Sequence, residues 1–470
     1  MSGTADQDHR IPYIITLFPT KKPCDISKVH SRPTIQRRNA LASRPPITHA
    51  GGMNTCSTIP TESTSTAPAQ AAPHNPASAS GFDAQAIDRT SAADLAAIGG
   101  DKWTRYPGCI GAFIAEMDYG LAPCIQRAID NACDHCKLGY IPDPWKRRVA
   151  EACARWQKEH YGWNVSPDII RPVPDVLEAY EIFLREIVGA GNSVIVPTPA
   201  YMPFLSVPRL YGIDVIEIDM LQAGDEWAFD FDAIEQAMRN GCRAFVLCNP
   251  HNPIGKVLTV DEERRISDLA AKYDARIFSD EIHAPFVFDG FSHIPFATIS
   301  DQAAMQSMTA TSASKSFNIP GTKCAQVLLT NPNDLAMWMD RAEWSEHQTA
   351  TIGAIATTTA YNEGDPWFQD ALKYVKRNFA LVDEELNGRF AKVGYVRPQG
   401  TYIAWLDFKP LGIEDPAAYF LDRAKVALTD GKECGRIGRG CVRMNFAMPY
   451  PLLRDCFDRM YTAMHEDGLL

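Results

Sequence analysis

The sequence predicts an α/β fold in which a mainly parallel sheet is sandwiched by helices, followed by a smaller α+β C-terminal domain. One observation is that short apolar runs, typical of buried strands, alternate with longer helical patterns. The other is a change in the order of predicted elements near the C-terminal end, where a long helical stretch precedes two strand-like runs. The second domain is therefore predicted to contain a different kind of sheet.

The predicted elements follow from local patterns. Runs rich in Val, Ile and Phe predict strands at Ser193–Pro197, Ile213–Ile218, Ala244–Cys248 and Arg276–Asp280. Helical spacing of apolar residues predicts helices at Asp175–Val188, Asp261–Tyr273 and Phe368–Phe390. Strands at Tyr402–Phe408 and Val442–Phe446 complete the smaller domain.

The beginning of the chain has a different composition. Of the 24 residues from 57 to 80, 19 are Ala, Pro, Ser or Thr, which is too little apolar surface to offset the entropy lost on ordering. We predict a disordered low-complexity leader over residues 1–98, and one hypothesis is that the natural chain starts at Met53. Residues 99–142 are predicted to join the small domain (366–470), and residues 143–365 to form the large domain.

Charge and cysteine content limit the classes of function. The net charge is −11, although residues 1–80 hold eight basic and four acidic side chains, so the body is acidic and unsuited to a large nucleic-acid surface. No apolar run is long enough to span a membrane. The 13 cysteines show no disulfide framework, and the pair Cys133 and Cys136 lacks a second pair of metal ligands. We expect a cytoplasmic protein with reduced thiols and no metal, membrane or nucleic-acid partner.

Four polar residues stand at, or follow, the predicted ends of strands. They are Asn252 in a turn between prolines, Asp280 at the end of an apolar strand, Lys315 in a Ser/Ala-rich stretch, and Arg443 in an apolar strand. Ligands of parallel sheets bind outside the carboxyl ends of the strands. The four segments therefore point to one crevice.

Each residue type suits a particular chemistry. A lysine in apolar surroundings can lose its proton and form a Schiff base, and a buried aspartate needs a cation. A buried arginine suits a carboxylate, and a held asparagine can donate to a ligand oxygen. Taken singly, each also fits a structural role: a rigid loop for Asn252, a helix cap for Asp280, a surface position for Lys315, and an internal ion pair for Arg443.

Together with several further motifs, the four segments resemble a known family. The motifs are Lys102-Trp-Thr-Arg-Tyr-Pro, Ala115-Glu-Met-Asp-Tyr, Asp280-Glu-Ile-His-Ala-Pro, Lys315-Ser-Phe-Asn-Ile-Pro-Gly and Gly400-Thr-Tyr-Ile-Ala-Trp. They are similar to those of fold type I pyridoxal-phosphate (PLP) enzymes in the aminotransferase class I/II family, and especially to its MalY/PatB-type carbon–sulfur β-lyase branch. The resemblance covers roughly residues 99–468 and implies a large domain with a seven-stranded-type sheet.

The resemblance also implies roles around pyridoxal 5′-phosphate. Lys315 would bind the cofactor as a Schiff base and act as general base, Asp280 would pair with the pyridine nitrogen, and Arg443 would bind the substrate carboxylate. Asn252 would donate to the phenolic oxygen beside His283. The remaining implied contacts are Tyr201 stacked on the ring, and Ser312, Ser314, Lys323, the backbone N–H groups of Val176 and Leu177, and Tyr140 of a neighbouring subunit around the phosphate.

Two positions at the phosphate site depart from the family pattern. Asp175 stands where the family's phosphate turn often carries glycine, and Lys323 stands where many aminotransferases carry arginine. A carboxylate at 175 must point away from the phosphate or it weakens the site.

The implied function is cleavage of cystathionine or cysteine S-conjugates to a thiol, pyruvate and ammonia by a homodimer with shared active sites. Two alternatives remain open on the sequence. An aminotransferase uses the same scaffold and the same motifs. The second alternative is a non-catalytic or added regulatory binding role, although Lys315, Asp280, Asn252 and Arg443 are all present.

Overall fold

The computed structural model describes residues 80–470, which contain fifteen α-helices and fifteen β-strands. The strands are β1 (Ile110–Gly111), β2 (Ile170–Val173), β3 (Ser193–Thr198), β4 (Asp214–Asp219), β5 (Leu221–Ala223), β6 (Glu226–Ala228), β7 (Ala244–Cys248), β8 (Arg276–Asp280), β9 (Ser307–Thr311), β10 (Ala325–Leu328), β11 (Gly394–Tyr395), β12 (Ile403–Asp407), β13 (Val426–Ala427), β14 (Thr429–Asp430) and β15 (Cys441–Asn445).

The helices surround two main sheets. They are α1 (Ala84–Arg89), α2 (Ala92–Ile98), α3 (Asp101–Thr104), α4 (Pro123–Asp134), α5 (Asp143–Tyr161), α6 (Val176–Ile182), α7 (Pro203–Leu210), α8 (Phe231–Arg239), α9 (Val260–Lys272), α10 (Asp301–Gln306), α11 (Pro332–Met337), α12 (Thr351–Glu363), α13 (Asp365–Asn387), α14 (Pro416–Arg423) and α15 (Tyr450–Glu466). Helix α6 continues as a π-helix over Phe183–Val188.

The large sheet has seven strands in the order β2-β10-β9-β8-β7-β3-β4. Strand β10 runs antiparallel to both of its neighbours, while the pairs from β9 to β4 are parallel. The predicted α/β fold with a mainly parallel seven-stranded sheet is confirmed. The parallel order places the carboxyl ends of β7, β8 and β9 side by side.

The strands of this sheet are apolar because both of its faces are buried. Along β3, Val194 and Val196 enter one core cluster while Ile195 enters the cluster on the other face. Alternate residues of a strand point to opposite faces, so a strand covered by helices on both sides needs apolar residues at every position. This is why these strands are predictable from short continuous apolar runs.

Two helices begin at capping residues, and the loops before these helices lie near the ends of the strands. Helix α9 begins with a capping box formed by Thr259 and Glu262. Helix α6 is capped by Asp175, whose Oδ1 accepts a hydrogen bond from the N–H of Glu178 at 2.9 Å. The first turn of α6 therefore begins directly after β2.

The small sheet is antiparallel, with the order β11-β12-β15-β14. Its register places Trp405 of β12 opposite Arg443 of β15. A separate parallel pair joins β1 to β13, with Ile110 opposite Val426. The segment that follows β1 is thereby held beside the C-terminal part of the chain.

The disordered leader predicted through residue 98 is wrong for residues 82–98, which are folded. Phe82, Ile87 and Leu95 are buried in the core cluster of the small sheet, and Ser91 forms a capping box at the start of α2. The ring of Phe82 packs edge-on against that of Trp367, with a centroid separation of 5.7 Å. Few but well-spaced apolar side chains are sufficient here because they enter a core built by the rest of the chain. The remainder of the predicted leader, including Met53, lies outside the described residues.

In the part of the chain that the structure describes, no helix combines the length and apolar character needed to cross a membrane.

Candidate functional site

A cavity of about 590 Å³ lies at the carboxyl ends of the central strands. Ten of the twelve predicted site residues line it: Val176, Leu177, Tyr201, Asn252, Asp280, His283, Ser314, Lys315, Lys323 and Arg443. Tyr140 and Ser312 do not. The crevice expected from the order of the strands is therefore where the structure brings these side chains together.

Lys315 follows β9 and lines this cavity, where its side chain is partly buried. Its Nζ donates a hydrogen bond to the backbone oxygen of Ala115 at 2.8 Å. Burial lowers the pKa of this amine to about 8, and the positive charge of Arg443 acts in the same direction. A substantial share of the amine is thus neutral near physiological pH, the form that attacks a carbonyl carbon.

Asp280 is the last residue of β8 and is only 4% exposed. Its Oδ1 accepts a hydrogen bond from the N–H of Ile282 at 3.1 Å, and within residues 80–470 it forms no ion pair. Burial raises the pKa of this carboxyl to about 7, against the opposing effects of that hydrogen bond and of Lys315. A buried carboxyl in this condition is stabilised by a ligand that brings a cationic N–H group.

Arg443 lies on β15 and is as buried as Asp280. Its Nη2 donates to the backbone oxygen of Phe113 at 2.8 Å, and its Nη1 donates to Oδ1 of Asn252 at 3.3 Å. No carboxylate among residues 80–470 pairs with it, so the alternative of an internal ion pair is wrong. Burial lowers the pKa of this guanidinium, and its fork is suited to a ligand carboxylate.

His283 also lines the cavity, and its ring lies edge-on to that of Tyr402 with a centroid separation of 5.8 Å. Burial, followed by the positive charges of Lys315 and Arg443, lowers the pKa of its ring to about 3. Its Nδ1 is buried and has no hydrogen-bond partner within the described chain. The imidazole is therefore neutral, with one nitrogen left for a bound group.

At the end of the cavity near α6, Asp175 and Ser312 are arranged differently from what the resemblance implies for a phosphate site. The Oδ2 of Asp175 lies 2.8 Å from Nζ of Lys323, so the carboxylate points towards the lysine that the resemblance assigns to the phosphate. Ser314 lines the cavity, whereas Ser312 is buried behind it, donating to the backbone oxygen of Cys324 at 2.9 Å and lying 2.6 Å from Oγ of Ser314. Ser312 positions Ser314 in this structure.

Tyr140 lies outside the cavity, and its side chain is 92% exposed. Its predicted contact is with the phosphate of a second subunit, and that contact stays a prediction.

The sequence reasoning missed most of the segment that follows β1. Phe113, Ile114 and Ala115 line the cavity, and the backbone oxygens of Phe113 and Ala115 accept hydrogen bonds from Arg443 and Lys315. The same segment is fixed by Lys102, whose buried Nζ contacts the carboxylate of Asp118 at 2.7 Å. The motif Ala115-Glu-Met-Asp was the available signal, but backbone acceptors carry no residue signature.

The residue set fits pyridoxal phosphate on its chemistry. It includes a partly buried amine of lowered pKa, a buried carboxyl without a cation, and an unpartnered buried ring nitrogen. These groups match an aldehyde, a protonated pyridine nitrogen and a polar ring substituent. A buried guanidinium remains for the carboxylate of an amino acid.

Comparisons with known proteins agree with this chemistry. Residues 118–458 match the family model described as Aminotransferase class I and II. A cystathionine β-lyase of Corynebacterium glutamicum is 34% identical over 365 residues, which are 77% of this chain and 96% of that protein. The MalY protein of Escherichia coli is 31% identical over 72% of this chain and 86% of its own length. The crystal structure of cystalysin from Treponema denticola, which contains pyridoxal 5′-phosphate, superposes with a TM-score of 0.74 at 26% identity over 78% of this chain and 96% of that one.

Proposed function

Because the chain belongs to the aminotransferase class I and II family, we propose that it is a PLP-dependent carbon–sulfur β-lyase. Its substrates are cystathionine or cysteine S-conjugates, and its products are a thiol, pyruvate and ammonia. The observation that carries the proposal is the partly buried Lys315 of lowered pKa, in one cavity with Asp280 and Arg443. The choice of a lyase rests on relatives such as the cystathionine β-lyase of C. glutamicum.

The residues divide the work as follows. Pyridoxal phosphate, when bound, supplies an electron sink for negative charge that develops at the substrate Cα. Asp280 would accept a hydrogen bond from the ring N–H and keep that nitrogen protonated. Asn252 and His283 would hold the ring substituent, and Tyr201 would pack on the ring face.

Lys315 has two successive tasks. Its amine would hold the cofactor covalently, and in its free form it would take the proton from Cα of the substrate. Arg443 would bind the α-carboxylate and so fix Cα within reach of Lys315. The electron pair of the Cα–H bond would form a Cα–Cβ double bond as the carbon–sulfur bond breaks and its electron pair leaves with the thiolate, and water would hydrolyse the released enamine to pyruvate and ammonia.

We also propose that the protein acts as a homodimer in which Tyr140 reaches the phosphate of the partner's site. The support is the exposure of this ring, together with that of Leu138, which is 62% exposed. A cytoplasmic location is proposed from the absence of a disulfide framework in the sequence.

The decisive experiment measures pyruvate release by the purified protein loaded with pyridoxal phosphate. Cystathionine, cysteine and alkyl-cysteines serve as substrates. We expect pyruvate from the thioethers, no turnover by Lys315→Ala, and unchanged turnover by the matched control Lys373→Ala, an exposed lysine on α13.

An aminotransferase would give a different result in the same assay. It would convert the bound cofactor to pyridoxamine phosphate and release a keto acid that retains its sulfur. Detection of that keto acid without pyruvate overturns the lyase proposal while leaving the roles of Lys315 and Asp280 in place.

A further inference from the structure

The phosphate end of the cavity contains an ion pair within the chain itself. Nζ of Lys323 lies 2.8 Å from Oδ2 of Asp175, and both side chains line the cavity. The two residues are 148 positions apart in the sequence, so the contact is made by tertiary structure. Their side chains are 55% and 39% exposed, which leaves room for a ligand to reach the pair.

Each of the two residues makes a further hydrogen bond, Asp175 through its side chain and Lys323 through its backbone. The other carboxylate oxygen of Asp175 caps α6 by accepting the N–H of Glu178. Lys323 follows the turn Pro320–Thr322 with a φ of 54°, and its backbone oxygen accepts the N–H of Ala350 at 3.2 Å. Asp175 therefore cannot move away from the phosphate region without giving up its cap, so its carboxylate is a fixed feature of the site.

The pair places two anions in competition for one ammonium. A phosphate group bound at the start of α6 would be drawn to Lys323, while the carboxylate of Asp175 repels it. Lysine offers a compact point charge with three donors, so it lacks the planar fork with which an arginine binds a phosphate.

We propose that Asp175 competes with the phosphate group of the cofactor for Lys323 and thereby lowers the affinity of this protein for phosphorylated ligands. The inference rests on the proposed function for the identity of the ligand. Asp175 is in this respect a specificity-determining residue, because it reduces the advantage that a phosphate group gives a ligand over the same ligand without one.

The test is the variant Asp175→Asn, which removes the charge and keeps a residue that caps helices equally well. The apoprotein is titrated calorimetrically with pyridoxal phosphate, with pyridoxal and with inorganic phosphate. We expect Asp175→Asn to bind pyridoxal phosphate and inorganic phosphate at least about tenfold more tightly, which equals about 1.4 kcal/mol, with the affinity for pyridoxal unchanged. The matched control is Asp230→Asn, since Asp230 caps α8 through the N–H of Ala233 away from the cavity.

Several outcomes overturn the inference. Unchanged or weaker binding of pyridoxal phosphate by Asp175→Asn, in a variant whose urea midpoint equals that of the wild type, contradicts competition. Equal tightening for pyridoxal and for its phosphate shows that the effect does not act through the phosphate. The double variant that combines Asp175→Asn with Lys323→Gln should lose the gain in affinity for pyridoxal phosphate. A double variant that keeps this gain also overturns the inference.

The proposed function can fail independently. A wild-type protein that binds pyridoxal phosphate but releases no pyruvate refutes the lyase and leaves the affinity comparison intact. A protein that releases pyruvate but binds pyridoxal phosphate equally well with Asp or Asn at position 175 refutes only the proposed competition for Lys323.

Discussion

The lowered pKa of Lys315 gives a quantitative prediction for the capture of the cofactor. Only the neutral amine attacks the aldehyde, so the capture rate follows the neutral fraction of Lys315. With a pKa of about 8, about one amine in eleven is neutral at pH 7, whereas an ordinary lysine offers about one in three thousand. The buried site therefore raises the reactive fraction by about 300-fold.

The pH dependence distinguishes the two cases. Raising the pH from 7 to 8 should increase the rate of capture about fivefold, and the next unit should add less than twofold, because the amine is then largely neutral. An amine with an ordinary pKa would instead gain about tenfold for each unit over the same range.

The assay mixes apoprotein with pyridoxal phosphate by stopped flow and follows the visible absorbance of the lysine-bound cofactor. Each rate is divided by that of a free lysine derivative at the same pH after correction for its own neutral fraction, which removes the titration of the cofactor. Lys315→Ala should give no band. Arg443→Met should move the midpoint to higher pH, because the charge of Arg443 helps to lower the pKa of Lys315.

A capture rate that rises about tenfold per unit from pH 7 through pH 9 would refute the reasoning, since it would mean that burial does not lower the pKa of Lys315. A midpoint that stays in place in Arg443→Met would refute the electrostatic part alone.

Three further predictions concern residues around the site. Lys102→Met leaves the buried carboxylate of Asp118 without its cation and should cost about 3–5 kcal/mol in urea unfolding; adding Asp118→Leu should restore part of it, and no restoration would contradict the pairing. Asp280→Asn should retain the lysine-bound cofactor band but lower the rate of pyruvate release by about 100-fold or more, so near-normal turnover would contradict its role. Gly353→Ala places a Cβ 2.0 Å from the backbone oxygen of Thr322. This variant should displace the turn before Lys323, lower Tm and weaken pyridoxal phosphate binding about tenfold. An unchanged Tm would contradict this, because it would mean that the turn can shift without loss of stability.

Much of the large domain could be predicted because its signals are local. The strand ending in Asp280 was predicted with the bounds that the structure has, since five buried residues lie in one continuous run. The start of α9 was predicted within one residue from the helical spacing of its apolar residues, and the structure shows a capping box of Thr259 and Glu262 there. Such patterns need only neighbours in sequence to be recognised.

Contacts between residues that are far apart in the sequence were harder to predict. The strands β1 and β13 have two residues each, too short for a periodic pattern, yet their pairing brings Phe113 to Arg443, 330 positions away. Phe82 was assigned to a disordered leader because its own surroundings are poor in apolar residues, whereas its packing partners, among them Trp367, lie near the other end of the chain.

The sequence by itself determined which chemical groups are available, namely an amine, a carboxyl, an amide and a guanidinium at or near strand ends. The tertiary structure decided what state those groups are in. Burial and the charge of Arg443 lower the pKa of Lys315, and an ion pair across 148 positions joins Asp175 to Lys323. A pKa depends on desolvation and on nearby charges in space, and neither can be read from the order of residues along the chain.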